Sequence, residues 1–295
     1  INRNGTRIRS DCFVVRNLEN VITKKWCLSD HLNELRDLGF NTDRAFDVVK
    51  ENKSKLVNVV LEISHSNTFN EIPDNILGQT DPVFKKGNYI VNLYAPLSLS
   101  LVLDSELKHI LWHKTFCVNV NDKFSVMMAT HDIQITPAGK LLVYSNFTGK
   151  VPGRCLIESQ YKGVLNRLPR PANAPFFKLN FVNRNVNALN IPYKGLERNY
   201  STLSEYDPYS GTILWNYQGD PLYSFNSDKF GGVTHLPDDH YLFSDYTKYS
   251  RAVEIDENEK IVWELRLDYS DQLKVKSVKP FYKIDFFKAR GINIQ

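Results

Sequence analysis

The stretch "EYDPYSGTILW", residues 205–215, decides how this chain folds. It reads as the end of a strand at Glu205–Tyr206, a polar turn led by Asp207, and two apolar residues running into Trp215. The same unit ends at each of the other tryptophans: "VVRNLENVITKKW" at Trp26, "LVLDSELKHILW" at Trp112 and "VEIDENEKIVW" at Trp263. Asn17, Asp104, Asp207 and Asp256 precede their tryptophans by nine, eight, eight and seven residues. A degenerate copy, "LIESQYKGVLN", carries Glu158 eight residues before Asn166.

The marked ends are 86, 54, 49 and 48 residues apart. A repeat of that length made of short strands predicts an all-β fold, a β-propeller of four-stranded blades. Each unit is then the outer hairpin of a blade, and its tryptophan fills the wedge between neighbouring blades. Five repeats are counted. The whole chain, 1–295, is expected as one domain. Its ring would be closed by pairing the N-terminal strands with a C-terminal strand at 278–288, which removes an exposed edge. The longest gap leaves room for a small helical insertion over 29–56. Ser29 and Asp30 can cap it, Leu32, Leu35 and Leu38 recur at turn spacing, and Gly39 stops the first helix. Thr42 can cap a second, with Phe46 and Val49 on one face.

Composition narrows the classes. At 42% hydrophobic and 24% charged residues, the chain is ordinary for a globular protein. The net charge of +4 is spread along the sequence, which argues against a nucleic-acid partner. No apolar run approaches the ~20 residues of a membrane span. The residues begin at Ile1 without a signal-peptide pattern, which leaves open a mature exported chain and a trimmed one. Cys12, Cys27, Cys117 and Cys155 are far apart with no metal-ligand spacing, so no metal site is expected and three disulfide pairings stay open.

Between the tryptophan units lie the chemical candidates. "MMATHDIQITPAGKLLVYSN", residues 127–146, is a hairpin turning at Pro137–Gly139, and His131 opens its first strand, placed in the degenerate blade. His65 holds the matching place in "EISHSNTFNEIPDN", and His235 lies in "GGVTHLPDDHYLF". Aligning Pro237 with Pro137 matches His235 to Ile135, four residues on from His131 and on the same strand face. Imidazoles converging from several inner strands suit an anion site or a nucleophile with its acid–base partner. Asp132, alternating with His131, is expected to turn away and bond the backbone of a neighbouring strand.

At these residues the chain resembles the arylsulfate sulfotransferase family. "SHSN" at 64–67 is similar to its H-x-N pattern, and "THDIQITPAGKLLVYSN" is similar to its HD-x-Q element ending in asparagine. The likeness runs over roughly 58–265. It implies a propeller, with six blades possible. It also implies sulfuryl transfer from an aryl sulfate to a phenol acceptor through a channel histidine, with no cofactor. His131, His65 and His235 would then be catalytic. Asn67, Asn146 and Arg154 would bind substrate, with Tyr94 where many relatives carry an arginine. The resemblance further implies export, periplasmic or extracellular. Two other classes fit parts of the sequence. One is a non-catalytic propeller serving as a binding or scaffold module. The other is a quinone-dependent propeller, because "YDPYSGTILWNY" resembles the quinoprotein repeat, but that pattern is clear only once and no vicinal cysteines accompany it.

Overall fold

The computed structural model describes residues 2–3, 6–43, 45–47, 61–94, 98–119, 124–152, 201–219, 225, 227, 231–246 and 250–267. Within them the fold is predominantly β, built of antiparallel sheets that follow one another along the chain. At the N-terminus β1 (Asn2–Arg3) pairs with β2 (Thr6–Arg9), and a hairpin follows from β3 (Cys12–Arg16) and β4 (Ile22–Cys27). Then β5 (Leu61–Glu62) returns to lie parallel to β2. Three larger sheets complete the described residues. The first is β6 (Ser66–Glu71), β7 (Tyr89–Leu93), β8 (Leu99–Leu103) and β9 (Ile110–Thr115). The second is β11 (Phe124–Ile135), β12 (Leu141–Pro152), β13 (Thr202–Tyr206) and β14 (Ile213–Tyr217), with the short β10 (Cys117–Asn119) added at the far side of β11. The third is β15 (Val233–His235), β16 (Tyr241–Tyr246), β17 (Ser250–Ile255) and β18 (Ile261–Leu267).

All four tryptophan units are hairpins, β3–β4, β8–β9, β13–β14 and β17–β18. The invariable Asn or Asp has a local cause. Its side-chain Oδ1 accepts backbone N–H groups of the turn: Val21 for Asn17, Lys108 for Asp104, Tyr209 and Ser210 for Asp207, Asn258 and Lys260 for Asp256. One left-handed residue closes each turn, at Asn20, Leu107, Gly211 and Glu259. Trp112, Trp215 and Trp263 occupy one register, opposite Val102, Glu205 and Glu254. Trp26 does not share it. Lys24 holds the matching place, and Trp26 sits two residues farther along the same face, opposite Phe13.

The repeat count needs correction. The hairpin of His131 is not a separate, degenerate blade. Leu141 pairs directly with Tyr206 and Ser145 with Thr202, so β11 and β12 are the first two strands of the Trp215 sheet. The degenerate copy at 156–166 falls between β12 and β13, outside the described residues. The C-terminal strand at 278–288 lies outside them as well.

Apolar side chains fill the spaces between successive sheets. Tyr206, Ile133 and Leu141 of the second sheet pack with Ile90 and Val102 of the first. Phe243 and Val253 of the third pack with Tyr144 and Leu203 of the second. Trp215 stacks flat on Tyr241 of the next sheet, centroids 4.3 Å apart. The insertion begins with helix α1 (Leu32–Asp37), whose N-cap is His31 rather than Ser29 or Asp30. It ends at Gly39, in the left-handed region at φ +88°, as expected. Helical backbone resumes at 42–43 and 45–47, while Val49 and the rest of the insertion lie outside the described residues. Leu35, Phe40 and Phe46 are buried with Trp26 and Phe13, so this part packs into the N-terminal core. Cys12 and Cys27 face each other across β3 and β4 and are disulfide-bonded, and Cys117 is disulfide-bonded as well.

Candidate functional site

The first strands of the three sheets lie side by side, and one carboxylate ties them together. Asp132 of β11 is buried. Its Oδ1 accepts from Thr68 Oγ1 of β6 at 2.8 Å and from the Ile133 amide at 2.9 Å. Its Oδ2 accepts from the Val233 amide of β15 at 3.1 Å. The expectation that Asp132 bonds a neighbouring strand's backbone is met on one side by an amide and on the other by a hydroxyl. A buried carboxylate needs such partners.

His131 beside it is a bulge residue. Thr130 faces Ser145 and Asp132 faces Tyr144, so His131 has no residue opposite. A bulge re-aims its extra side chain. The first sheet repeats the device, because Ser66 faces Leu93 and Thr68 faces Asn92, which leaves Asn67 as the extra residue. By the same register Gly231 holds this level in the third sheet. Glycine is required there: φ is +119°, and a Cβ would stand 2.3 Å from Cζ and Oη of Tyr144. The Tyr144 ring takes the space a side chain at 231 would occupy. Its hydroxyl donates to Ser244 O at 2.8 Å, and the ring meets His131 edge-on at 6.4 Å.

Burial pushes the His131 imidazole down to about 4, against a hydrogen bond that the ring donates to the Gly231 backbone carbonyl and that favours the charged ring. The charge of His65 lowers it further, so the two histidines stand within each other's field. His131 is therefore neutral near pH 7, and its buried Nδ1 has no hydrogen-bond partner. His65 is also lowered, first by burial and then by Arg9, while Asp11 acts in the opposite direction. Tyr94 donates its amide to His65 O at 2.9 Å and meets the imidazole edge-on at 6.0 Å.

The other candidates are placed differently. His235 lies four residues beyond the level of Gly231, about 13 Å along a strand, on the same face. Its Nε2 is 3.2 Å from Asp239 Oδ1, and its ring meets Tyr241 edge-on. The structure thus brings His65 and His131 together and leaves His235 at the turn. Asn146 is buried, with Nδ2 donating to Ser227 O at 3.0 Å and its backbone carbonyl accepting from Ser201 Oγ at 2.8 Å. Its amide holds the fold rather than facing a ligand. Arg154 lies outside the described residues. Among the described residues, no group of three or more His, Cys, Asp or Glu could hold a metal ion, and no helix is long and apolar enough to cross a membrane.

Four residues were missed. Gly231 had a signal, since a Gly-Gly pair opening a strand marks close backbone approach. Tyr144, Arg9 and Asp11 had none. Arg9 and Asp11 reach His65 through pairing between segments far apart in sequence, and Tyr144 meets His131 across the β11–β12 hairpin.

No protein-family model matches the chain, and no curated protein matches it. Among solved structures, a protein of unknown function from Bacteroides caccae is similar at 12% identity with a TM-score of 0.20. The match spans 61% of this chain and 78% of that one, and a likeness this slight carries no argument.

Proposed function

We propose that the chain is a diverged propeller of the arylsulfate sulfotransferase kind, with His131 as the group that carries the sulfuryl moiety. The observation behind this reading is the neutral His131 imidazole, set on a bulge with a partnerless Nδ1 and within the field of His65. A neutral imidazole is a nucleophile, and a second one can move protons. In the first step a ring-nitrogen lone pair of His131 forms a bond to sulfur, and the bond between sulfur and the aryl oxygen breaks. The phenolate leaves with that electron pair and takes a proton from His65 in its charged form. In the second step the acceptor phenol gives its proton to His65 and its oxygen bonds to sulfur. The N–S bond then breaks, and its pair returns to His131. No cofactor takes part.

The ring itself is part of the proposal. First strands lying side by side, joined by Asp132, are what a propeller's central channel requires. Closure would come from strands outside the described residues. The disulfide-bonded Cys12, Cys27 and Cys117 support export to an oxidising compartment, periplasmic or extracellular.

A second reading, a non-catalytic binding module, is favoured by one observation: the Asn146 side chain is committed to Ser227 O, and His235 to Asp239. The test is an assay with 4-nitrophenyl sulfate as donor and phenol as acceptor. Nitrophenol release by the wild type, lost in His131→Ala with the melting temperature preserved, supports transfer. Release no greater than that of His131→Ala overturns it in favour of the binding module.

A further inference from the structure

We propose that Asp11 is a positioning residue that makes His65 the proton donor of the His65–His131 pair. The inference rests on the reading of that site given above, which needs one imidazole neutral and the other charged. Its basis is the way Asp11 is held against the link between β5 and β6. The Asp11 amide donates to Ser64 Oγ at 2.8 Å, and Asp11 Oδ2 accepts both the amide and the hydroxyl of Ser66 at 2.7 Å. The Ser66 amide belongs to the peptide bond that joins Ser66 to His65, so the carboxylate is fixed beside that residue. Bonds to Ser64 and Ser66 bracket the histidine in sequence. Asp11 is anchored from its own side as well. The Leu28 amide donates to Asp11 O at 3.2 Å, and the Cys12–Cys27 disulfide follows at the next residue. A carboxylate held at so many points is preorganised: it need not move when the charge beside it changes.

The two rings stand in unequal fields. Burial lowers His131, against its bond to the Gly231 backbone, and the charge of His65 lowers it further. Burial also lowers His65; the Asp11 carboxylate acts against it, and Arg9 acts with it, more weakly than Asp11. Of Asp11, Arg9 and His131, only Asp11 favours a proton on His65. Asp132, the carboxylate next to His131, is engaged by Thr68, Ile133 and Val233, and the Tyr94 ring meets His65 edge-on. In transfer, a charged His65 gives its proton to the aryl oxygen as the bond from that oxygen to sulfur breaks. It recovers a proton from the acceptor phenol in the second step. A fixed negative charge beside the ring stabilises the charged form that both steps pass through.

The experiment titrates the histidine ring signals by NMR in the intact chain and compares two donors in the transfer assay. Asp11→Asn keeps an oxygen that can accept from Ser66 and removes the charge. Its His65 midpoint is expected to fall by about one unit, the scale of one nearby opposite charge. Asp11→Glu keeps the charge and should hold the midpoint nearer the wild-type value, a rescue that a purely structural role would not produce. The donors are phenyl sulfate and 4-nitrophenyl sulfate. Phenol is the weaker acid, so its departure depends more on a donated proton. Asp11→Asn is therefore expected to lower kcat/KM for phenyl sulfate about tenfold more than for 4-nitrophenyl sulfate, the factor that matches a one-unit shift. A His65 midpoint unchanged in Asp11→Asn, or lowered equally in Asp11→Glu, overturns the role of Asp11 and leaves the transfer reading standing. Equal losses with the two donors overturn His65 as the proton donor that Asp11 supports. A wild-type chain that turns over neither donor removes the transfer reading, and the proton-donor role with it, whatever the titration shows.

Discussion

Replacing Asp132 by alanine would strand the Val233 amide and leave Thr68 Oγ1 with only its longer bond to His131 O, on the two sheets flanking its own. Leaving buried polar groups unpaired costs about 1–3 kcal/mol, so Asp132→Ala should lower unfolding stability by that amount in urea titrations. His131→Ala should cost less near pH 7, since it removes one hydrogen bond, to the Gly231 backbone, where Asp132→Ala removes three. The histidine shows itself in the pH dependence instead. Folded, it is held near 4; unfolded, it titrates near its ordinary value of 6.5. Between these values only the unfolded chain binds the proton, so the contribution is complete above 6.5 and is lost as the pH falls toward 4. His65 is shifted in the same direction. Melting temperatures taken from pH 7.5 down to 4.5 should therefore fall for the wild type and fall less steeply for His131→Gln. Equal slopes would mean that His131 is solvated in the folded chain.

At the scale of the element, the hairpins are self-contained. An Asn or Asp closes the turn through its own side chain, which is why four of them could be read from sequence. The disulfide adds a covalent tie to the first one, joining Cys12 and Cys27 across a separation of 15 residues. On the chain-entropy account, a loop of that length stabilises by about 3 kcal/mol. The double substitution Cys12→Ser with Cys27→Ser should show a loss of that order in denaturant titrations. A negligible loss would place the N-terminal hairpin outside the cooperative unit. The first helix of the insertion was legible through Gly39, but its cap was not. Ser29 bonds Asp30 rather than a helix amide, a choice made by local geometry that the sequence leaves open.

At the scale of the molecule, the sheets of the described residues hold one another through apolar and polar side-chain contacts rather than through shared strands. The Trp215–Tyr241 stack crosses from the second sheet to the third. A double-mutant cycle of Trp215→Leu and Tyr241→Leu should give a coupling of about 1 kcal/mol. A coupling near zero would mean that the stack follows from packing elsewhere. The all-β class and the outer hairpins were legible because alternation, turn chemistry and tryptophan spacing are local signals. The blade to which His131 belongs was not, because β12 skips the residues after Pro152 to pair with β13, and such a pairing leaves no periodic trace. The site was legible in half. His65 and His131 stood out as histidines opening inner strands. The bulge that aims His131 is a register shift inside its own hairpin, and the glycine that admits Tyr144 depends on packing between distant segments.

The burial of Asn146 bears on how the chain could be made. Asn146-Phe147-Thr148 is an acceptor sequence for N-linked glycans. The nitrogen that would carry the sugar is the one that donates to Ser227 O inside the protein. A glycan there and the native packing exclude each other, so an oligosaccharide could be attached only before the second sheet closes. In a eukaryotic secretory host, folding and glycosylation would compete for the same side chain. Asn146-glycosylated chains should accumulate as a misfolded fraction that the same gene does not yield in a host without that modification.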